Sequence, residues 1–257
     1  MNDALLVVRQ VRYENRWFWR NPPAAFFTFV FPLIFLVLFN VIFGNNEIEV
    51  PGGTTNESTF YVPAIAALSV VTACYTNIAM TLCYTRDDGV LKRIRGTPLP
   101  IWAYVTARVL HAVLVGMLLV VIVVAFGRAF YDVTIPSNTM AAFVITVIVG
   151  SAAFSMLGLA VTTVIPNAEA APAIVNFTIL PLFFISDVFI NLEDPPAWLD
   201  TLANVFPVVH FSKAMQTAFN PFESGAGFEA AHLAVIAAWG VAAFIVAIRR
   251  FSWEPRT

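Results

Sequence analysis

The chain has 257 residues, 59% hydrophobic and only 12% charged. A soluble domain carries about 25% charged residues, so an ordinary globular fold is excluded, and 24 Phe exclude a disordered chain. The net charge of −2, with no basic run, gives no sign of a nucleic-acid partner, so the placement of the charges carries the information.

Residues 4–20 come first. Arg9, Arg12, Arg16 and Arg20 recur every three or four residues and share one helical face. Ala4, Val7, Val11 and Phe18 lie opposite, with Trp17 and Trp19 near the boundary. This predicts an amphipathic helix in the membrane interface, its Arg face on anionic headgroups and its Trp rings at headgroup level. A helix packed on another protein subunit has the same pattern. Pro22 and Pro23 then force a turn, and the first long apolar run begins only after them, which is not the layout of a signal peptide.

Six segments reach the roughly 20 apolar residues a membrane span needs: 23–43, 59–84, 101–126, 139–165, 170–190 and 230–248. The fold class is therefore an all-α polytopic membrane protein. One domain is expected over 1–257, with an interfacial helix at 1–21, a six-span core at 22–250 and a tail at 251–257. Cys74 and Cys83 lie in one segment, about 13 Å apart along a helix, too far to pair.

Lys and Arg set the orientation. Basic residues crowd the N-terminal stretch, the 85–100 loop (Arg86, Lys92, Arg93, Arg95) and the C-terminus (Arg249, Arg250, Arg256). The remaining long loops carry Arg128 and Lys213 among a larger number of acidic residues. Both termini and the 85–100 loop are predicted to be cytoplasmic, and residues 44–58 external.

The 85–100 loop predicts a short helix, with Asp87 or Asp88 as cap and Gly96 and Pro98 as stop. Val90, Leu91 and Ile94 give it an apolar face with no membrane to bury it, which suits docking in a partner's groove. A solvated basic loop is the plainer alternative.

Two charges fall inside spans. Arg108, with His111 on the same face, lies about two turns into the third span, near enough to the end to snorkel, form an ion pair or meet cargo. Asp187 lies near the outer end of the fifth. Ser151, Ser155, Gly158 and Thr162 form a small-residue stripe that permits close helix approach, within the chain or at a dimer seam. Between the fifth and sixth spans, Trp198, Leu199, Leu202, Val205 and Phe206 suit short helices dipping into the outer leaflet where protein covers their backbone.

A search for catalysis finds no HExxH, GxSxG, paired intramembrane aspartates or Cys/His metal spacing, and no phosphate loop. His111, His210 and His232 are far apart in sequence. No catalytic or metal site is expected, and no ATP hydrolysis by this chain.

One order of features resembles a known family. An interfacial helix, a span, a polar loop and a second span lead into Arg86-Asp87-Asp88-Gly89-Val90-Leu91-Lys92-Arg93-Ile94-Arg95-Gly96-Thr97-Pro98. Later come Pro181-Leu182-Phe183-Phe184-Ile185-Ser186-Asp187, Pro195-Pro196-Ala197-Trp198-Leu199 and Phe206-Pro207. This resembles the membrane subunit of type-2 ABC exporters, which usually has Ser-Gly where this chain has Ser186-Asp187. The resemblance implies re-entrant outer helices between spans five and six, a second permease subunit (identical or similar), and separate ATPase subunits that hold ATP and Mg²⁺. It also implies export of a drug, antibiotic or lipid. Coupling to the ATPase then falls to Arg86, Asp87, Asp88, Val90, Leu91, Arg93 and Ile94. A secondary transporter or channel needing no ATPase is the alternative, though inverted repeats and interrupted spans are not evident. A membrane-embedded enzyme is a third class.

Overall fold

Asn21 and the two prolines after it decide how the chain enters its helical core. Helix α1 (Asp3–Trp19) stops, and the Asn21 Oδ1 accepts from the Ala24 amide at 3.5 Å to cap α2 (Pro22–Phe43). Pro22 sits where a missing amide costs nothing. The computed structural model describes residues 3–50, 52–186 and 196–250.

The hub is one continuous 31-residue helix, Glu57–Asp87. It consists of α3 (Glu57–Val71), a π turn (Thr72–Thr76) and α4 (Asn77–Asp87). In its most apolar 18-residue stretch 72% is buried, against 17% in α2, so the others pack around it and α2 keeps a face for lipid or another chain. Helix α6 (Ile101–Tyr131) has 31 residues, about 46 Å, which exceeds the roughly 30 Å of a bilayer's hydrocarbon. Helix α7 (Met140–Val161) packs between the hub, α6 and α11 (Ala230–Arg250).

The small-residue stripe of α7 is used inside the chain. Ser151 and Ser155 are fully buried. A Cβ on Gly158 would lie 2.6 Å from the Tyr75 carbonyl oxygen, so the π turn seats directly on that glycine. A Cβ on Gly116 of α6 would lie 2.9 Å from the Ser151 hydroxyl. Cys74 and Cys83 are both free and buried.

Among the described residues, five helices are long and apolar enough to cross a membrane. The segment expected at 170–190 is helical only over α8 (Ala171–Phe184), 14 residues or about 21 Å. From residue 187 it passes outside the described residues. The chain is therefore an all-α multi-pass membrane protein, with five such helices and this shorter apolar one among the described residues.

Two loop clusters mark opposite ends of the bundle. At one end, a small antiparallel hairpin joins β1 (Glu47–Val50) to β2 (Gly53–Asn56), with Glu47 opposite Asn56. Gly52 takes φ +99° at the turn, and Phe222 packs so close that a Cβ on Gly52 or Gly53 would lie 2.7 Å from it. Asn45 donates to the Tyr131 carbonyl at 3.1 Å. The loops after α2, α6 and α10 thus meet on one side. The polar loop expected at 44–58 contains strands because Gly52 and Gly53 permit the reversal.

Helix α9 (Ala197–Ala203) and helix α10 (Pro207–Phe219) follow the undescribed stretch. The ring of Phe211 fills the space that Gly150 leaves and packs on Phe154 at 5.4 Å, while Phe219 meets Phe143 at 5.0 Å. Helix α10 therefore runs antiparallel to α7 from its middle to its start. Thirteen residues cannot span a bilayer, and burial against α3 and α7 covers its apolar side chains.

Candidate functional site

The other end of the bundle gathers nearly every charged residue that the sequence singles out. Its centre is Arg86, in the last turn of α4 and only 3% exposed. Its Nη1 donates to the Thr162 carbonyl at 3.2 Å, and its Nη2 to those of Ile165 and Pro166 at 3.0 Å. The carbonyl of Thr162, the C-cap of α7, carries the negative end of the helix dipole, those of Ile165 and Pro166 lie in the turn that follows, and a planar cationic fork satisfies all three at once. Asp87 completes the clamp: its Oδ1 lies 3.3 Å from Arg86 Nε, and its Oδ2 accepts from the Ala168 amide. The start of the 86–96 loop is thus tied to the turn after α7.

This corrects the expected cap. Neither Asp87 nor Asp88 caps the short helix α5 (Val90–Arg95); its N-cap is Gly89, at φ +69°. Asp87 closes α4, and Asp88 is exposed. The left-handed φ is the reason, because glycine takes it without a Cβ penalty and breaks α4 from α5.

The expected apolar docking face is corrected as well. Leu91 is fully buried in the chain's own core. Val90 and Ile94 are half-buried, and Lys92 and Arg93 are exposed. Arg86 likewise is buried and bonded within the chain, so the outward surface of this loop is basic rather than apolar. With six residues, α5 cannot turn all three apolar side chains away from the core while it lies against α4.

Helix α1 docks on α6 beside this loop. Val7 and Val11 pack on Ala103, Ala107 and Leu99, and Phe18 packs on Ala25, Val115 and Leu119. Most of the predicted apolar face is therefore turned to protein; Ala4 is exposed. Arg9, Arg12, Arg16 and Arg20 are all exposed, together with half-exposed Trp17 and Trp19. Trp19 Nε1 donates to Asn15 Oδ1 at 3.1 Å.

Arg108 does not snorkel to solvent. It is 7% exposed, its Nε 3.5 Å from Glu14 Oε2 of α1, and its guanidinium stands 5.4 Å from the Tyr104 ring centre. It forms the ion pair with Glu14 instead, which locks α1 to α6. Glu14 escaped the sequence reading although a signal existed: it is the sole acidic residue of 4–20, set among four arginines. His111, one turn on, packs edge-on to Phe18 at 5.8 Å. Asp187 lies outside the described residues.

Between α1, α5 and α6 lies a cavity of about 610 Å³, lined by residues that include Arg16, Arg20, Arg108, Trp17, Val90 and Ile94. At the opposite end, two distant histidines meet: His210 Nδ1 is 2.7 Å from His232 Nδ1, and His210 Nε2 donates to the Asn204 carbonyl at 2.8 Å. Among the described residues no cluster of three or more His, Cys, Asp or Glu could hold a metal ion.

A buried hub, a 13-residue helix seated against it, and a basic loop helix that follows the Arg86 clamp belong with the five long apolar helices to a multi-pass membrane protein. The profile of the ABC-2 type transporter family matches residues 7–220, and the chain belongs to that family. It is 24% identical over 194 residues to the Inner membrane transport permease YadH of Escherichia coli K12, covering 75% of each chain. It is 24% identical over 191 residues to the Putative transport permease ycf38 of Porphyra purpurea, covering 74% of this chain and 65% of that one. It is 22% identical over 153 residues to the Probable multidrug ABC transporter permease YbhR of the same E. coli strain, covering 60% of this chain and 41% of that one. The chain thus spans less than two thirds of the ycf38 and YbhR permeases.

Proposed function

We propose that this chain is the permease subunit of an ATP-driven ABC exporter in the inner, cytoplasmic membrane. Both termini and α5 face the cytoplasm, and the β-hairpin faces outward. A second permease subunit, identical or similar, completes the pathway through the lipid bilayer. Separately made ATPase subunits hold ATP and Mg²⁺, and this chain performs no hydrolysis. All of residues 1–257 act as one transmembrane domain, α9 and α10 form its outer re-entrant cap, and the cargo is hydrophobic or amphipathic: a drug, an antibiotic or a lipid. The names of YadH and YbhR, an inner-membrane and a multidrug permease, support this reading for the chain.

The observation that carries it is the Arg86 clamp. A push on α5 reaches α4 through the Gly89 break and reaches the end of α7 through three carbonyls. Helices held in discrete packed arrangements switch as bodies rather than deform, which is what alternating access needs. Lys92 and Arg93 give the ATPase a charged surface to engage, with Ile94 beside them. The test is the double variant Lys92→Glu with Arg93→Glu, on a tagged chain expressed with its ATPase. Membrane insertion should be unchanged and ATPase recovery should fall at least about tenfold, as reversed charge across an interface costs several kcal/mol. Full ATPase recovery with this variant would remove the coupling assignment.

A further inference from the structure

We infer that the 610 Å³ cavity between α1, α5 and α6 is a binding site for one anionic phospholipid of the adjoining leaflet, a resident ligand rather than cargo. Three arginines line it, Arg16, Arg20 and Arg108, against one carboxylate, Glu14. Glu14 pairs with Arg108, which leaves the guanidiniums of Arg16 and Arg20 with no acidic partner among the described residues. Arg108 is nine-tenths buried, and its Nε makes no well-formed hydrogen bond. Such an excess of positive charge in a concave site calls for an anion. Val90 and Ile94 give the same cavity an apolar wall where an acyl chain can lie, which a small soluble anion does not need. Half-exposed Trp17 stands in the wall, and indole rings favour the headgroup region of a bilayer. Basic pockets at the cytoplasmic ends of membrane helices take anionic headgroups for these reasons.

The site has a consequence for coupling. Its walls are the interfacial helix on one side and the loop helix on the other, so a bound lipid braces α1 against α5. Membrane composition then biases how freely α5 moves. That consequence rests on the coupling reading above; the binding site itself does not.

The experiment uses the full chain, purified in neutral detergent, where no membrane orientation or ATPase is needed, so its failure is distinct from failure of the coupling reading. Brominated phosphatidylglycerol and brominated phosphatidylcholine are titrated in turn, and tryptophan quenching is followed. The Trp17→Phe variant isolates the share of quenching that arises at the cavity. Phosphatidylglycerol should quench Trp17 saturably, at about tenfold lower concentration than phosphatidylcholine. Arg16→Gln with Arg20→Gln should raise the half-saturating concentration about tenfold. Arg9→Gln with Arg12→Gln removes the same charge from the same helix outside the cavity, and should change it less than about threefold. Glycerol phosphate at millimolar concentration should not displace the lipid. Equal loss in both double variants would show diffuse surface charge and overturn the site. No preference for phosphatidylglycerol would overturn it too, and displacement by glycerol phosphate would assign the cavity to a soluble phosphate instead. Unchanged elution on size exclusion certifies that each variant is folded.

Discussion

The Arg86 clamp and the seat of α10 are held by different physics. At the α5 end, Arg86 fixes the loop with directional, charge-assisted bonds to three carbonyls, and Arg108 pairs with Glu14 across helices. At the hairpin end, α10 is held mainly by apolar contacts: Phe211 against Gly150 and Phe154, and Phe219 against Phe143. Only a few polar bonds join in, such as Thr139 to the Ala218 carbonyl at 2.7 Å. Directional bonds preserve an orientation when pushed, whereas packing tolerates sliding between similar arrangements. The clamp thus fixes one relative orientation of α4 and the turn after α7, while the α10 seat rests on shape complementarity.

The strongest way to break that comparison is at Arg86. Arg86→Ala leaves the Thr162, Ile165 and Pro166 carbonyls and the Asp87 carboxylate without their cation, and should cost about 3 kcal/mol or more of stability. Arg86→Lys should recover only part, since an ammonium cannot fork across three acceptors. Thermal unfolding of the purified chain in detergent reads both. Loss of less than about 1 kcal/mol in Arg86→Ala would mean the clamp is not structural.

A smaller effect is expected at the hairpin end. Any Cβ at Gly150 collides with the Phe211 ring, so Gly150→Ala should cost about 1–3 kcal/mol through overpacking. Adding Phe211→Leu should return much of that loss, and the double-mutant cycle measures the coupling. Additive losses would show that the two do not share this space.

The histidine pair sharpens the picture with the smallest change. The Asn204 carbonyl requires a proton on His210 Nε2, so in the neutral pair His210 Nδ1 accepts from His232. His232→Phe removes that donor and should cost about 1 kcal/mol, because packing holds most of α10 in place. A cost equal to that of Arg86→Ala, measured by the same unfolding curves, would mean that the α10 seat too relies on polar bonds.

Much of this architecture is legible in the residues, and the exceptions have physical reasons. The spans show because lipid demands long apolar runs, and the small stripe at Ser151, Ser155 and Gly158 shows because close packing demands small side chains. The clamp is not legible: the acceptors of Arg86 are backbone carbonyls some 80 residues away, and carbonyls have no sequence signature. Leu91 misleads for a related reason, since hydrophobicity shows that a side chain wants burial but not whose core it enters. Glu14 was readable as a lone acid among arginines, while its partner Arg108 had to be found by folding. Short outer helices before the sixth span are expected from the sequence, but the residues 207–219 themselves do not show burial: His210, Ser212, Lys213 and Gln216 interrupt the apolar pattern, and only packing on α3 and α7 encloses α10.

The central claim is that α5 and the end of α7 move as one body. It is tested most directly by spin labels at Lys92→Cys and Glu169→Cys, both exposed, while Cys74 and Cys83 stay buried. Pulsed electron resonance then gives the distance distribution, with and without the ATPase trapped on ATP and vanadate. One narrow distribution, unchanged by trapping, is expected, and it should broaden when Arg86→Ala is added. A wild-type distribution that is broad or shifts on trapping, or an Arg86→Ala variant indistinguishable from wild type, would contradict it.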